Sequence, residues 1–474
     1  MDSNSVLNIF KEITRIPRES GHEEPMTAYL QSFAVNHGLD CKTDETGNVL
    51  ITKPAAPGKE NVPAIVLQSH QDMVCEKNAG VQHDFAKDPI HYVIEDGWMI
   101  APDTTLGADD GIGVAASLAV LESDLPTGKI ECLFTISEET GMDGAHAIKE
   151  GFFSGKALIN LDSEEEGEFC IGCAGGVNTI ATYSYGTENR NSEYTRMVLR
   201  INGGQGGHSG EDINKGRMNT IKTLAQFLQK EMPYGLQVII ISGGNKSNAI
   251  CREAAAYVCV PDANATAIRF KNFGIAACEA VKDTDPAVCF KSALSSINEK
   301  VLCQKDMENI INGIADCPHG VQAMSADIKG LVETSTNLAA VDMSARGTVR
   351  VVTSQRSSIT AECRKIAATV EENFASKGAK VEHINEYPGW KPDMNSHVLD
   401  VCRSSYVKLF GKEPIVKAIH AGLECGLFLT KFPDLDMISM GPTMIGIHAP
   451  GEKMELASLD KFTAHLIDVV TNFA

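Results

Sequence analysis

No run of apolar residues in this 474-residue sequence approaches the roughly 20 that a membrane-spanning helix needs; stretches such as Val238–Ile241 and Val114–Val120 are short. The sequence therefore predicts no membrane segment. Basic residues are in deficit: 42 Lys plus Arg stand against 62 Asp plus Glu, a formal net charge of −20. That balance argues against a nucleic-acid binder, which needs a basic face to displace counterions from phosphates, and it disfavours adhesion to an anionic membrane. Cys170-Xaa-Xaa-Cys173 has no second pair to match it among the 14 cysteines and is expected to be a buried structural thiol pair. The opening MDSNSVLNIFKEITRIP reads as an amphipathic helix, without the basic start and apolar middle of a secretory signal. The thiols are accordingly expected to be reduced and the protein cytosolic. No Gly-Lys-Ser/Thr follows the Gly-rich GGQGGHSG (203–210), so this turn is no phosphate loop, and Ser209 sits in no Gly-Xaa-Ser-Xaa-Gly elbow.

What is present is an ordinary globular composition, 43% hydrophobic and 22% charged, in a chain long enough for two or three domains. Up to about residue 170, apolar strand-like runs (Val62–Ser69, Lys129–Ser137, Ala157–Leu161) alternate with helical spacing, as at Ile112–Leu121. That alternation predicts an α/β fold with a mostly parallel sheet and helical crossovers. After about residue 180 the texture becomes α+β: Tyr194–Asn202 alternates apolar and polar residues, a helix is expected around Met218–Glu231, and Gln237–Ser242, Ala255–Pro261 and two more mixed segments up to Val381–Tyr387 follow. From Lys391 a helix, a strand at Asp436–Met440 and a final helix at Leu456–Phe473 return to the first style. The expected organisation is one domain (1–185 and 391–474) interrupted by an inserted α+β lid (186–390).

Several acidic and His residues share one context. His70 ends VLQSH, Glu138 and Glu139 follow LFTIS, Asp162 ends ALINLD, and His448 lies in a loop after DMISM. In open α/β sheets the crevice beyond the carboxyl ends of the strands is where ligands bind. Asp109, where a helix opens, completes a set of N and O donors of the kind zinc or a similar divalent ion takes. Asp72, two residues after His70, would share its face on an extended segment and could fix the tautomer of a metal-binding imidazole. On an extended segment the side chains of Glu138 and Glu139 would point to opposite sides, one to metal and one to water as a general base. Each piece has a plainer alternative: a capping His, an Asp109–Asp110 helix cap, a solvated Glu pair. Their joint placement at strand ends favours the site.

LQSHQDMV, LGADDGIG, SEETGMDGA, LINLDSEE and IGIHAPGE, taken in that order, resemble the five metal-site motifs of the M20 metallopeptidase family. GCAGG (172–176), GGHSG (206–210) and HAGLECG (420–426) are similar to its aminoacyl-histidine dipeptidase branch, so the resemblance spans nearly the whole chain. It implies a zinc-peptidase fold in which His70, Asp109 and Asp162 hold one zinc and Asp109, Glu139 and His448 the other. Cobalt or manganese would suit the same donors. Glu138 would be the general base and Asp72 the partner of His70. Many family members carry Lys two places after the bridging Asp; here that position is Gly111. Asp162, where deacylase relatives tend to carry Glu, leans toward a peptidase.

In the lid, His208 is implied as a donor to the tetrahedral oxyanion. Arg356 and Asn248 are candidates for the substrate's free carboxylate, since Arg offers a planar bidentate contact, although a surface salt bridge fits Arg356 equally well. Glu424 is a candidate for the substrate's amino group. The expected activity is dipeptide hydrolysis, of aminoacyl-histidine and other dipeptides, with a homodimer expected. The alternatives are an amide hydrolase acting on N-acyl amino acids or tripeptides, and a binding protein that keeps the fold without turnover.

Overall fold

The computed structural model describes residues 1–473, which divide into two compact units. The first comprises Met1–Cys173, Trp390–Ala418 and Leu423–Ala474, and the second Ala174–Gly389 and Ile419–Gly422.

The first unit is built on an eight-stranded sheet in the order Asp40–Thr43, Val49–Lys53, Ile130–Thr135, Ile65–His70, Ala157–Asn160, Asp436–Ser439, Glu168–Cys173, Ile415–Ile419. Its centre is parallel: Ile65–His70 pairs with Ile130–Thr135 and with Ala157–Asn160, which pairs in turn with Asp436–Ser439. These central strands are apolar without alternation because both faces are covered. Every residue of Ile65–His70 and Ile130–Thr135 is buried. Helix Ala108–Glu122 is likewise buried along nearly its whole length, which explains its all-round Ala, Val and Leu content. Helix Ser3–Ile13, opened by a reciprocal Asp2–Ser5 capping box, buries Val6, Ile9, Phe10 and Ile13 in the same core as Leu459, Phe462 and Leu466 of the last helix, Leu456–Asn472. A small antiparallel sheet adds Val93–Glu95, Trp98–Ile100, Met444–Ile445 and Lys453–Glu455. No helix among the described residues is long and apolar enough to cross a membrane.

The second unit is an antiparallel sheet of nine strands, from Cys289–Leu294 at one edge to Lys380–Tyr387 at the other. Helices Thr220–Glu231, Ala263–Ala280, Gln304–Asp316 and Thr360–Ala375 contribute to its core. The sequence texture puts the first change of unit near residue 185, whereas the chain changes unit at Cys173/Ala174. Strand Gly175–Ser184 pairs with Thr348–Ser357 and Lys380–Tyr387 and so belongs to the second sheet. Only Ala174 separates it from Glu168–Cys173 of the first, too short a join to leave a compositional mark. The return of Ile419–Gly422 to the second unit was also not expected.

Candidate metal centre

Three loops at the carboxyl edge of the parallel strands, and a fourth after a strand of the small antiparallel sheet, carry donor residues. His70 is the last residue of its strand, Asp162 lies two residues beyond Ala157–Asn160, Glu138 lies three beyond Ile130–Thr135, and His448 follows Met444–Ile445. Asp109 stands where helix Ala108–Glu122 begins. Its backbone and that of Asp110 are non-helical, and the peptide between them is cis.

The side chains converge on Asp109. Its Oδ1 lies 3.1 Å from His70 Nε2, and its Oδ2 lies 3.1 Å from His448 Nε2. His70 Nε2 is also 3.6 Å from Asp162 Oδ1, and His448 Nε2 is 2.9 Å from Glu139. Two ligand atoms about 2.0–2.1 Å from one zinc at a tetrahedral angle stand roughly 3.3 Å apart, so both clusters have the spacing of donors around an ion. The charge balance agrees. Burial, the negative charge of Asp109 and, less strongly, that of Asp110 hold the Asp162 carboxyl well above its usual range, against the pull of His70. Hydrogen bonding to Asp109 and Glu139 pushes His448 up to about 10. Gathering carboxylates in a poorly solvated pocket costs repulsion and desolvation, both of which a divalent cation relieves. The donor set therefore fits such an ion.

His70 and Asp110 could also join Asp162 around an ion, as one atom of each lies close to the others. The Asp110 carboxylate, however, accepts the backbone N–H groups of His70 and Gly113 at 3.2 Å each, which leaves Asp109 the better placed to be shared. Asp72 Oδ1 lies 3.3 Å from His70 Nδ1, and the Asp72 carboxylate accepts the N–H groups of Glu138 (3.1 Å) and Glu139 (3.3 Å). Asp72 thus ties the His70 loop to the Glu138 loop.

One expectation needs correction. Glu138 and Glu139 are not on an extended segment: they open the short helix Glu138–Gly141, after Ser137 at φ 51°. The left-handed residue turns the chain abruptly from strand into helix, and the turn, not a two-residue period, separates the two carboxylates. Glu139 faces His448. Burial, opposed by His70 and reinforced by Glu139, Asp109 and Asp72, pushes the Glu138 carboxyl up to about 7, which suits a base working near neutrality.

Glu424, also in the first unit, is 2% exposed. Its Oε2 accepts Gln68 Nε2 (2.6 Å) and Thr135 Oγ1 (2.8 Å), while Oε1 has no partner. Burial and the charge of Glu138 push it up to about 8, although His70 and the two hydrogen bonds oppose the shift. Cys170 and Cys173 are buried thiols.

The second unit has its own polar cluster. Arg356 is buried on strand Thr348–Ser357 and donates to Tyr387 Oη (3.1 Å) and Ser209 Oγ (3.4 Å). Among the described residues no carboxylate lies within ion-pair distance of it, so the surface salt bridge is not what occupies it. Burial, chiefly, and Arg356 lower the His208 pKa, so the ring is neutral at pH 7. Its Nδ1 accepts the Glu211 N–H at 3.3 Å, which puts the ring proton on Nε2 as a free donor. Asn248 is exposed and its backbone carbonyl accepts the Ser209 N–H at 2.8 Å. Sequence reasoning missed His420, which is buried, hydrogen-bonded to Ser335 at 2.8 Å, and pushed down to about 3 by burial and Arg356.

A carboxylate shared between two imidazoles at the carboxyl edge of a parallel sheet is the arrangement of a hydrolase that works with paired divalent ions. The model of peptidase family M20/M25/M40 matches residues 66–472, and the chain belongs to that family. It is 38% identical to the cytosol non-specific dipeptidase of Escherichia coli (strain K12), a match covering 98% of this chain and 96% of that one. Its structure is similar to the crystal structure of an aminoacylhistidine dipeptidase from Vibrio alginolyticus, with a TM-score of 0.93 and 36% identity over 99% of this chain and 96% of that chain. An aminopeptidase from Bacillus cereus shares the fold at a TM-score of 0.58 and 18% identity, over 99% and 98% of the two chains.

Proposed function

We propose that the chain is a metallo-dipeptidase that cleaves aminoacyl-histidine and other dipeptides with free termini. The observation that carries this reading is the Asp109 carboxylate held between His70 and His448. His70, Asp109 and Asp162 would hold one ion, and Asp109, Glu139 and His448 the other; zinc suits these donors first, with cobalt and manganese also accepted. Such ions lower the pKa of a water and polarise the scissile carbonyl.

Glu138 takes the proton of the attacking water and returns it to the leaving amine, a shuttle for which a carboxyl near 7 is matched. Asp72 orients the His70 ring and steadies the Glu138 loop. His208, neutral and donating through Nε2, supplies a hydrogen bond to the oxyanion. Arg356, buried without a carboxylate partner, receives the substrate's free carboxylate together with Asn248. The unpartnered Oε1 of Glu424 receives the substrate ammonium. The full-length match to the E. coli dipeptidase supports both the substrate class and a cytosolic location. A homodimer remains part of the proposal.

The test is release of free amino acids from β-alanyl-histidine, glycyl-histidine, alanyl-alanine, a tripeptide and an N-acetyl amino acid under added zinc. Cleavage of the dipeptides ahead of the other two supports the reading. Cleavage of the N-acetyl compound alone would replace it with an amide hydrolase, and no turnover with ions bound would replace it with a binding protein.

A further inference from the structure

The segment Arg18–Glu23 and the residue Glu452 lie outside every role assigned above, yet between them they touch the loops that carry Asp72, Asp109 and Glu138. Arg18 is 2% exposed. Its Nη1 donates to the carbonyls of Gln71 (3.2 Å) and Asp72 (2.6 Å), and its Nη2 to the carbonyl of Gly107. Ser20 Oγ donates to Asp72 Oδ2 at 2.8 Å. Glu23, also buried, accepts the Ser137 N–H (2.9 Å) and hydroxyl (3.0 Å), holding the one residue whose positive φ launches Glu138 and Glu139.

Glu452 is 1% exposed and works from the other side of the Asp109 loop. Its two oxygens accept four successive backbone N–H groups: Leu106 at 2.7 Å, Gly107 at 2.9 Å, Ala108 at 2.8 Å and Asp109 at 3.4 Å. The helix has no side-chain cap of its own, since its N-cap is Gly107. A carboxylate from 346 residues away does that work. Gly107 is therefore held at both ends, its N–H by Glu452 and its C=O by Arg18.

Two glycines make room for this arrangement. A Cβ on Gly107 would lie 2.5 Å from Arg18 Nη2, and one on Gly111 would lie 2.6 Å from it and 2.8 Å from Phe10 Cε2. The guanidinium thus fills the volume that a side chain at position 111 would need.

We infer that Arg18, Glu23 and Glu452 are positioning residues: together they form a buried brace that sets the relative placement of the Asp72, Asp109 and Glu138 loops before any ion binds. The inference rests on the metal-centre reading of those loops. A shared carboxylate must present one oxygen to each of two ions, so a small rotation of the Leu106–Asp109 backbone would spoil both clusters together. Fixing that backbone with charged partners is a means of pre-organisation, and groups that orient metal ligands in this way typically contribute ten- to a hundredfold in affinity.

The experiment uses the full chain and two readouts. The first is amide hydrogen exchange of Leu106–Asp109 and Ser137–Glu139 in chelator-treated protein. The second is zinc affinity by competition with a chromophoric chelator. The variants are Glu452→Gln, Arg18→Met and Gly111→Ala, with Glu131→Gln as the control. Glu131 is a buried carboxylate of the same unit that accepts the N–H groups of Ser154 and Gly155, on a strand leading to the site but away from the donors. The brace predicts exchange at least tenfold faster in the donor loops and zinc affinity ten- to a hundredfold weaker in Glu452→Gln and Gly111→Ala, with the control unchanged in both.

Should Arg18→Met fail to fold, the other two variants decide. Wild-type exchange and affinity in both would overturn the brace, as would an equal loss in Glu131→Gln. A wild-type chain that takes up no zinc would overturn the metal reading instead. The exchange data, taken without metal, tell that failure from a failure of the brace.

Discussion

Asp109 and His448 stand 339 residues apart in the sequence and 3.1 Å apart in the fold, carboxylate Oδ2 to imidazole Nε2. The other oxygen of the same carboxylate faces His70 at the same distance. Since one side chain serves both clusters, its loss should differ in kind from the loss of a residue that serves only one. Asp109→Asn is expected to reduce bound zinc from two equivalents toward none, whereas Asp162→Asn leaves the Glu139–His448 cluster able to hold one. Metal analysis after dialysis against a weak chelator checks this, and one retained equivalent in Asp109→Asn would show that the carboxylate is not shared.

Arg356 is a buried cation whose partners are two hydroxyls, so it has donors left for an anion. Arg356→Lys keeps the charge but loses the planar fork. The expected cost is that of hydrogen bonds to a charged group, about 1.5–3 kcal/mol, or roughly ten- to a hundredfold in KM with kcat little changed. A C-terminally amidated dipeptide should be a poor substrate for the wild type and should not be discriminated further by the variant. Unequal losses on the two substrates in the opposite sense would remove Arg356 from carboxylate recognition.

Much of the first unit is legible in the sequence because its strands are buried on both faces. Apolar runs such as ALINL and LFT need no periodicity to be seen, and the donors lie just past their ends. The turn at Ser137 is not legible, since a serine gives no sign of a positive φ that is maintained by Glu23 from a distant segment. Glu452 is hidden for a similar reason. It sits four residues after His448 in IGIHAPGE, but its partners are backbone amides of a loop far away in sequence, and no side-chain pattern marks them. In the second unit, helices Ala263–Ala280, Gln304–Asp316 and Thr360–Ala375 are not legible, because partly exposed helices carry weaker apolar contrast than a buried strand. His420 is not legible because the groups that act on it, Ser335 and Arg356, are both remote in sequence.

Two buried neutral imidazoles should withdraw stability in mild acid, against the opposite contribution of Glu138 and Glu424, whose carboxyls are pushed up to about 7 and about 8. His465 is 3% exposed, stacks on Phe169 with 5.3 Å between ring centroids, and its Nε2 lies 2.8 Å from the Cys402 carbonyl. Burial lowers its pKa. His420 is held down to about 3. In the unfolded chain both titrate near 6.5. Below that pH the unfolded state binds protons that these two rings refuse in the folded state, so their contribution to stability declines as pH falls from about 6.5 toward the folded values. Melting temperatures between pH 7.5 and 5 check this, and His465→Gln should flatten the decline. An identical slope in the variant would show that His465 contributes nothing to it.

The central claim is that Glu138 moves the proton at a centre whose ions are held by other residues. The most direct test is single turnover of glycyl-histidine by zinc-loaded Glu138→Ala, with bound zinc measured on the same sample. General-base catalysis of this kind contributes roughly 10²–10⁴-fold, so the rate should fall by that factor while both equivalents of zinc remain. A wild-type rate with full zinc would contradict the account, and a lost rate with lost zinc would make Glu138 a ligand in place of a base.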